Sequence, residues 1–193
     1  MNTSRLSLSG IVAGAALALV LTACGSESSE PADAGSALST TSCPTAAPDD
    51  AGDPQWTLDG DTGSIAVIGS TDSATPSVQV EAPFSVSETQ VHTLSEGSGP
   101  VVEDTAQVSV CYMGVNGRDG SVFDSSYERG APAEFPLTGV VTGFQKAIAG
   151  QTVGSKVAVA MTSADGYPDG QPRAGIEAGD SLVFVLDILE VTG

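Results

Sequence analysis

The chain has 193 residues, with 24 acidic against six basic side chains, a single histidine and a net charge of −18. That charge argues against a nucleic-acid partner, whose phosphates need Lys/Arg neutralisation, and against electrostatic docking on anionic lipid. One histidine and three cysteines in no ligand-like cluster leave no zinc site, and neither a phosphate-binding glycine loop nor a nucleophile elbow is present.

In chain order, residues 1–23 read as an export signal: a polar start carrying only Arg5, an apolar run from Ile11 to Leu21, then small residues. The run is too short to span a bilayer, which takes ~20 apolar residues. Leu21-Thr22-Ala23-Cys24 resembles a bacterial lipobox, in which Cys24 is lipidated and becomes the new N-terminus. The alternative is an ordinary secretory signal with a stray cysteine. Residues 24–55 are rich in Ser, Ala, Pro and Asp and lack the apolar surface to offset ordering entropy. They read as a disordered tether, with an end-to-end distance of roughly 30 Å by random-coil scaling. The expected location is extracytoplasmic, with attachment to the membrane through the lipid alone.

Cys43 falls in the tether and Cys111 in an expected strand. Outside the cytoplasm the two can pair, but spacing does not decide between a disulfide and two free or buried thiols. Residues 56–86 form an N-terminal extension in which Trp56 to Ser70 reads as two short strands around an Asp-Gly turn. Asp59-Gly60-Asp61 lacks the later oxygen ligands of a calcium loop, so it reads as a solvated turn.

From Ser77 onward, stretches of alternating apolar residues give strands at SVQVEAP, TQVHTL, AQVSVCYMG, AEFPL, SKVAVAMT and DSLVFVLDILEV. In the third of these, Val108, Val110 and Tyr112 share one face, and Ser109, Cys111 and Met113 the other. Such alternation fits an antiparallel sheet with one face wet. His92, offset from the apolar Val91, reads as an exposed strand residue. One helix is expected at 143–149, where Phe144 and Ile148 share a face and Gly150 suits the left-handed position after the last turn. The fold class is therefore α+β: an antiparallel sheet with one short helix packed on it.

Over 87–193, the order VCYMG, DGSVFDSS, EFPL, VVTGFQKAIAGQTVGSKV and LVFVLDILEV resembles the FKBP-type peptidyl-prolyl cis-trans isomerases. The resemblance implies a twisted sheet wrapped round the helix, with an apolar pocket between them. It implies a pocket of Tyr112, Phe123, Asp124, Val140, Val141, Phe144, Tyr167, Ile176 and Phe184, with Arg129 paired to Asp124 and the Val141 N–H donating to a substrate carbonyl. It implies isomerisation of X-Pro bonds in proline-containing polypeptides, no cofactor or metal, and a monomeric protein. The sequence departs from the family pattern at Phe144 (usually Trp), at Ala133 (usually aromatic), at Tyr167-Pro168, at Ile176-Glu177-Ala178, and in a short link between Leu137 and Val140. These changes imply a wider or less aromatic pocket and bear on any binding of macrolide immunosuppressants.

The expected function is that of a membrane-tethered foldase for exported proteins. The alternatives are a non-catalytic proline-segment binding module or chaperone, or a lipoprotein adhesin or solute-binding protein using the acidic surface and the Trp56 segment. Phe123, Val140 and Phe184 also fit plain core packing. Asp124 is the most telling position, because a carboxylate set against buried aromatic rings needs a partner.

Overall fold

The computed structural model describes residues 42–48 and 52–192. The expected signal segment, Cys24 and most of the expected tether lie outside them. Strands β1 (Trp56–Asp59) and β2 (Thr62–Ile68) form a hairpin around Gly60-Asp61. Strand β3 (Ser77–Ser85) pairs with β2 to complete a three-stranded antiparallel sheet. Gly63 sits at a register shift within β2 at φ 60°, and a Cβ there would collide with the Glu81 carbonyl oxygen, so the position requires glycine.

The second sheet contains β4 (Gln90–Ser95), β5 (Gln107–Asn116), β6 (Val122–Ser125), β7 (Ala133–Pro136), β8 (Lys156–Met161) and β9 (Leu182–Val191). Its order is β4-β8-β9-β5-β6, with β7 also paired to β5, and every pairing is antiparallel. Helix α2 (Thr142–Ile148) lies against this sheet with Phe144, Ala147 and Ile148 buried, and Gly150 follows at φ 82°. The inward face of β5 (Val108, Val110 and Tyr112) joins the helix and Val157, Val159, Leu186 and Ile188 in one core.

Three expectations change. The first concerns the other face of β5, which is not wet. Ile65, Val67 and Phe84 of the first sheet pack on Val115, Ala158, Ala160, Val183 and Val185, so the large sheet is covered on both sides. This cover also inverts β4: Val91 is 38% exposed, whereas His92 is half-buried, its ring stacked on Trp56 at 5.5 Å and 10°.

The second concerns the tether. Within residues 24–55, the segment 42–48 is anchored: Cys43 is 3% exposed and forms a disulfide with Cys111. The Cys43 N–H donates to the Gly130 carbonyl at 3.3 Å, and Thr75 donates to Ala46 at 2.8 Å. Composition reads local disorder correctly only where no distant cross-link intervenes, and the Cys43 bond reaches across 68 residues.

The third is a second helical turn, α1 (Ser126–Arg129). The Ser125 side chain caps it by accepting from the Glu128 N–H, and Gly130 ends it at φ 65°. Ser125 followed by Glu128 is the capping-box spacing, hidden in a segment too short to show helical periodicity.

The extension is also fastened by polar groups. Ser70 Oγ donates to Asp187 at 2.5 Å, and Lys156 Nζ donates to the Ser70 carbonyl at 2.7 Å. Burial pushes the Asp187 carboxyl upward, opposed by Ser70 and by the charge of Lys156.

Replacing Cys43 by Ser opens the 68-residue closure and lowers the unfolding free energy by roughly 2–4 kcal/mol. Urea unfolding reads this as a lower midpoint, matched by the reduced wild-type chain. A midpoint unmoved by reductant would show that the cross-link contributes nothing.

Candidate active site

A cleft of about 440 Å³, counting its open mouth, lies between the large sheet and the start of α2. Its walls follow from strand register. Phe184 on β9 stands opposite Gly114 on β5. A side chain at Gly114 would lie 2.6 Å from the Phe123 ring and 2.8 Å from the Phe184 ring. The missing side chain lets the two rings meet edge-to-face, with centroids 5.4 Å apart at 86°. Phe144 reaches the wall from α2, edge-to-face with Phe184 at 5.4 Å and with Tyr112 at 5.9 Å. Each such pair contributes about 0.5–1.5 kcal/mol beyond its burial, so the aromatic wall holds its own shape.

Val140 and Val141 follow the turn Leu137–Gly139 and lead into α2. The Val141 carbonyl accepts from the Phe144 and Gln145 N–H groups at 3.0 and 3.1 Å. Among the described residues its own N–H donates to nothing, which leaves it free for a ligand carbonyl. Tyr167 enters from the loop after the turn Ser163–Asp165, its carbonyl accepting from Ser163 Oγ at 3.3 Å.

Eight of the nine expected pocket residues line this cleft; Ile176 does not. It is 2% exposed within the core, held in a bridge to Gln171. Phe135 is a lining residue that the sequence reading missed. It stands two residues after Ala133 on the same face of β7 and meets Phe144 edge-to-face at 5.7 Å. The alternation in AEFP was the signal for it.

The polar rim is a closed triangle. The Tyr112 hydroxyl donates to Asp124, Arg129 donates to the other Asp124 oxygen at 2.6 Å, and Arg129 also donates to the Tyr112 oxygen at 2.9 Å. The Arg129 guanidinium lies 5.6 Å from the centre of the Tyr112 ring. Helix α1 explains the five-residue offset, since its single turn brings Arg129 back over Asp124. The Tyr112 backbone N–H donates to Ser126 Oγ at 2.8 Å, tying β5 to the same turn. Burial, with the Asp124 carboxylate beside it, pushes the Tyr112 hydroxyl up to about 12. Burial alone would raise Asp124 as well, but hydrogen bonds from Tyr112 and Arg129, with the Arg129 charge, outweigh it and hold the carboxyl low. Both members of the ion pair are about half exposed, so the pair adds little stability. Its effect is to fix the Tyr112 ring at the mouth.

Residues 99–189 match the model of the FKBP-type peptidyl-prolyl cis-trans isomerases. An FK506-binding protein of Streptomyces anulatus is 35% identical over 99 residues, which is 50% of this chain and 80% of that one. The chain belongs to the FKBP-type peptidyl-prolyl cis-trans isomerase family. The FKBP-type 22 kDa isomerase of Escherichia coli is 37% identical over 102 residues, 53% of this chain and 49% of that protein. The chain thus spans about half the length of that relative. The crystal structure of FkpA from Escherichia coli is similar at a TM-score of 0.50 and 31% identity, over 54% of this chain and 48% of that one. The span matched to the FKBP family begins after β4, so the three-stranded sheet and Cys43 lie outside it.

In this FKBP-type cleft the rim carboxylate sets a pH dependence. Its folded-state value lies below the ordinary one of about 3.9. The pair's contribution is therefore complete above pH ~4 and is lost as pH falls through the lowered midpoint. Arg129→Ala is expected to raise the Asp124 midpoint toward the ordinary range, measured by carboxyl ¹³C NMR titration. A midpoint that does not move would contradict the triangle.

Proposed function

We propose that the protein catalyses cis-trans isomerisation of X-Pro bonds in exported polypeptides, held to the outer face of a membrane by a lipid on Cys24. The observation that carries the catalytic part is the cleft itself. Aromatic rings from four strands and one helix surround it, and the free N–H of Val141 borders it.

Rotation about a peptide bond costs ~18–20 kcal/mol because C–N resonance is lost, and X-Pro bonds take tens to hundreds of seconds to rotate unaided. No covalent bond forms or breaks, so the reaction requires no nucleophile. The twisted amide has less charge separation than the planar one. A dry aromatic site therefore stabilises it relative to the planar ground state, and that difference is the source of the acceleration. Tyr112, Phe144 and Phe184 grip the ring. The Val141 N–H holds a neighbouring carbonyl and fixes the segment while the bond turns. Asp124 and Arg129 keep Tyr112 in place and transfer no proton.

The export and anchoring part is supported by the order of the first 24 residues: one arginine, an apolar run and the Leu-Thr-Ala-Cys sequence.

In a protease-coupled assay on an X-Pro peptide, the purified chain is expected to accelerate isomerisation at micromolar concentration. Phe184→Ala and Asp124→Ala are each expected to lower kcat/KM about tenfold, equivalent to ~1.4 kcal/mol of transition-state stabilisation. Peptide binding without acceleration would replace this reading with a non-catalytic proline-binding module. In cells, Cys24→Ala is expected to move the protein from the membrane fraction to the soluble exported fraction. Unchanged fractionation would remove the lipid anchor from the proposal.

A further inference from the structure

The cleft walls differ in how they are held. Tyr112, Phe123, Phe135 and Phe184 stand on strands, and Phe144 stands on α2. Tyr167 is carried by the loop 166–179, which is irregular apart from the turn Pro172–Ala174 and the bridge between Gln171 and Ile176. Ile176 pins the loop to the core, and polar contacts must hold the rest.

A polar knot, buried at Asn116 and Asp180 but half-exposed at Arg118, does so. Asn116, at the end of β5, is 1% exposed. Its Nδ2 donates to Asp180 Oδ2 at 2.8 Å, and its Oδ1 accepts from the Arg118 N–H at 2.9 Å. The same Asp180 oxygen accepts from Arg118 Nε at 3.3 Å and from the Glu177 N–H at 2.9 Å. A second arm of the Arg118 guanidinium donates to the Gly175 carbonyl at 2.9 Å. The turn between β5 and β6 thus grips the far end of the loop at Gly175, Glu177 and Asp180. From there the hold passes along the backbone. Ile176 exchanges both hydrogen bonds with Gln171, and the Gly170 N–H donates to the Tyr167 carbonyl at 2.9 Å. Ser163 closes the base, accepting from the Gly179 N–H while donating to the Tyr167 carbonyl.

We infer that Arg118 and Asp180 are positioning residues that fix the Tyr167 wall and thereby set which side chains flanking the proline are accepted. The inference rests on the isomerase reading above. The ring-gripping walls are set by strand register and by helix packing, so they cannot adapt. Selection among flanking residues falls to the wall held by hydrogen bonds. Arg118 is suited to the task because its planar fork sets two donors at a fixed spacing, one on a carboxylate and one on a carbonyl, whereas a lysine offers a point charge without that fixed geometry. Arg173, in the same loop, forms no ion pair among the described residues and serves as the control.

The test is steady-state isomerisation by the full chain on a panel of peptides that differ only in the residue before proline. Wild type is expected to separate its best and worst peptides by roughly tenfold or more. Arg118→Ala is expected to narrow that spread several-fold, through a higher KM for the best peptides and a kcat held within about twofold. Asp180→Asn is expected to do the same, Arg118→Lys to restore the spread only in part, and Arg173→Ala to leave it intact. Amide exchange should rise at 175–179 in the Arg118 variant while β5 and β9 stay protected. An active wild type whose spread survives Arg118→Ala would overturn the inference, as would an equal fall in kcat on every peptide. A wild type that accelerates no peptide would overturn the isomerase reading and this inference together.

Discussion

Strand β5 is buried on both faces, and the rest of the structure depends on that constraint. Its inward face carries Val108, Val110 and Tyr112 into the helix core, and its outward face carries Cys111 into the disulfide and Val115 into the second core. It pairs with three other strands, β9 along almost its whole length. A one-residue slip would exchange the two faces, sending Tyr112 away from the cleft and Cys111 into it. The register of one strand therefore decides cleft and cross-link together.

Packing and electrostatics divide the remaining work. The aromatic wall is held by edge-to-face contacts and by the missing side chain at Gly114, both short-range effects indifferent to salt. The charged groups act at the edges of the cleft. Arg129 fixes Tyr112 through Asp124, and Arg118 grips the 166–179 loop through Asp180 and Gly175. Of the six basic residues in the whole chain, one fixes the cleft mouth and another grips its flanking loop. This distribution separates a rigid site for the ring from walls tuned by hydrogen bonds.

The large sheet, α2 and most of the cleft were legible in the sequence, because alternation and motif order both depend on short-range spacing. The cover over the outer face was not. Alternation in β5 reports two faces but does not say what lies against each, so the burial of Cys111 and the stacking of His92 on Trp56 needed the fold. Cys43 was misread as part of a tether because its ordering comes from a partner 68 residues away. Ile176 was placed at the cleft by motif position, whereas its bridge to Gln171 draws it into the core. Phe135 has no distinctive motif position, and only its alternation with Ala133 on β7 marks it. Helix α1 escaped because four residues cannot display a helical period, although its cap residues stand in plain order.

The central claim is that the cleft lowers the barrier to X-Pro rotation and does not merely hold proline. Exchange NMR on a labelled X-Pro peptide tests this without a coupling protease. With a substoichiometric amount of the protein, cis and trans resonances are expected to exchange within a mixing time of about a second, a rate the free peptide does not approach, and Phe184→Ala is expected to suppress the exchange. Resonances that shift on binding while cis and trans remain unconnected would contradict the account.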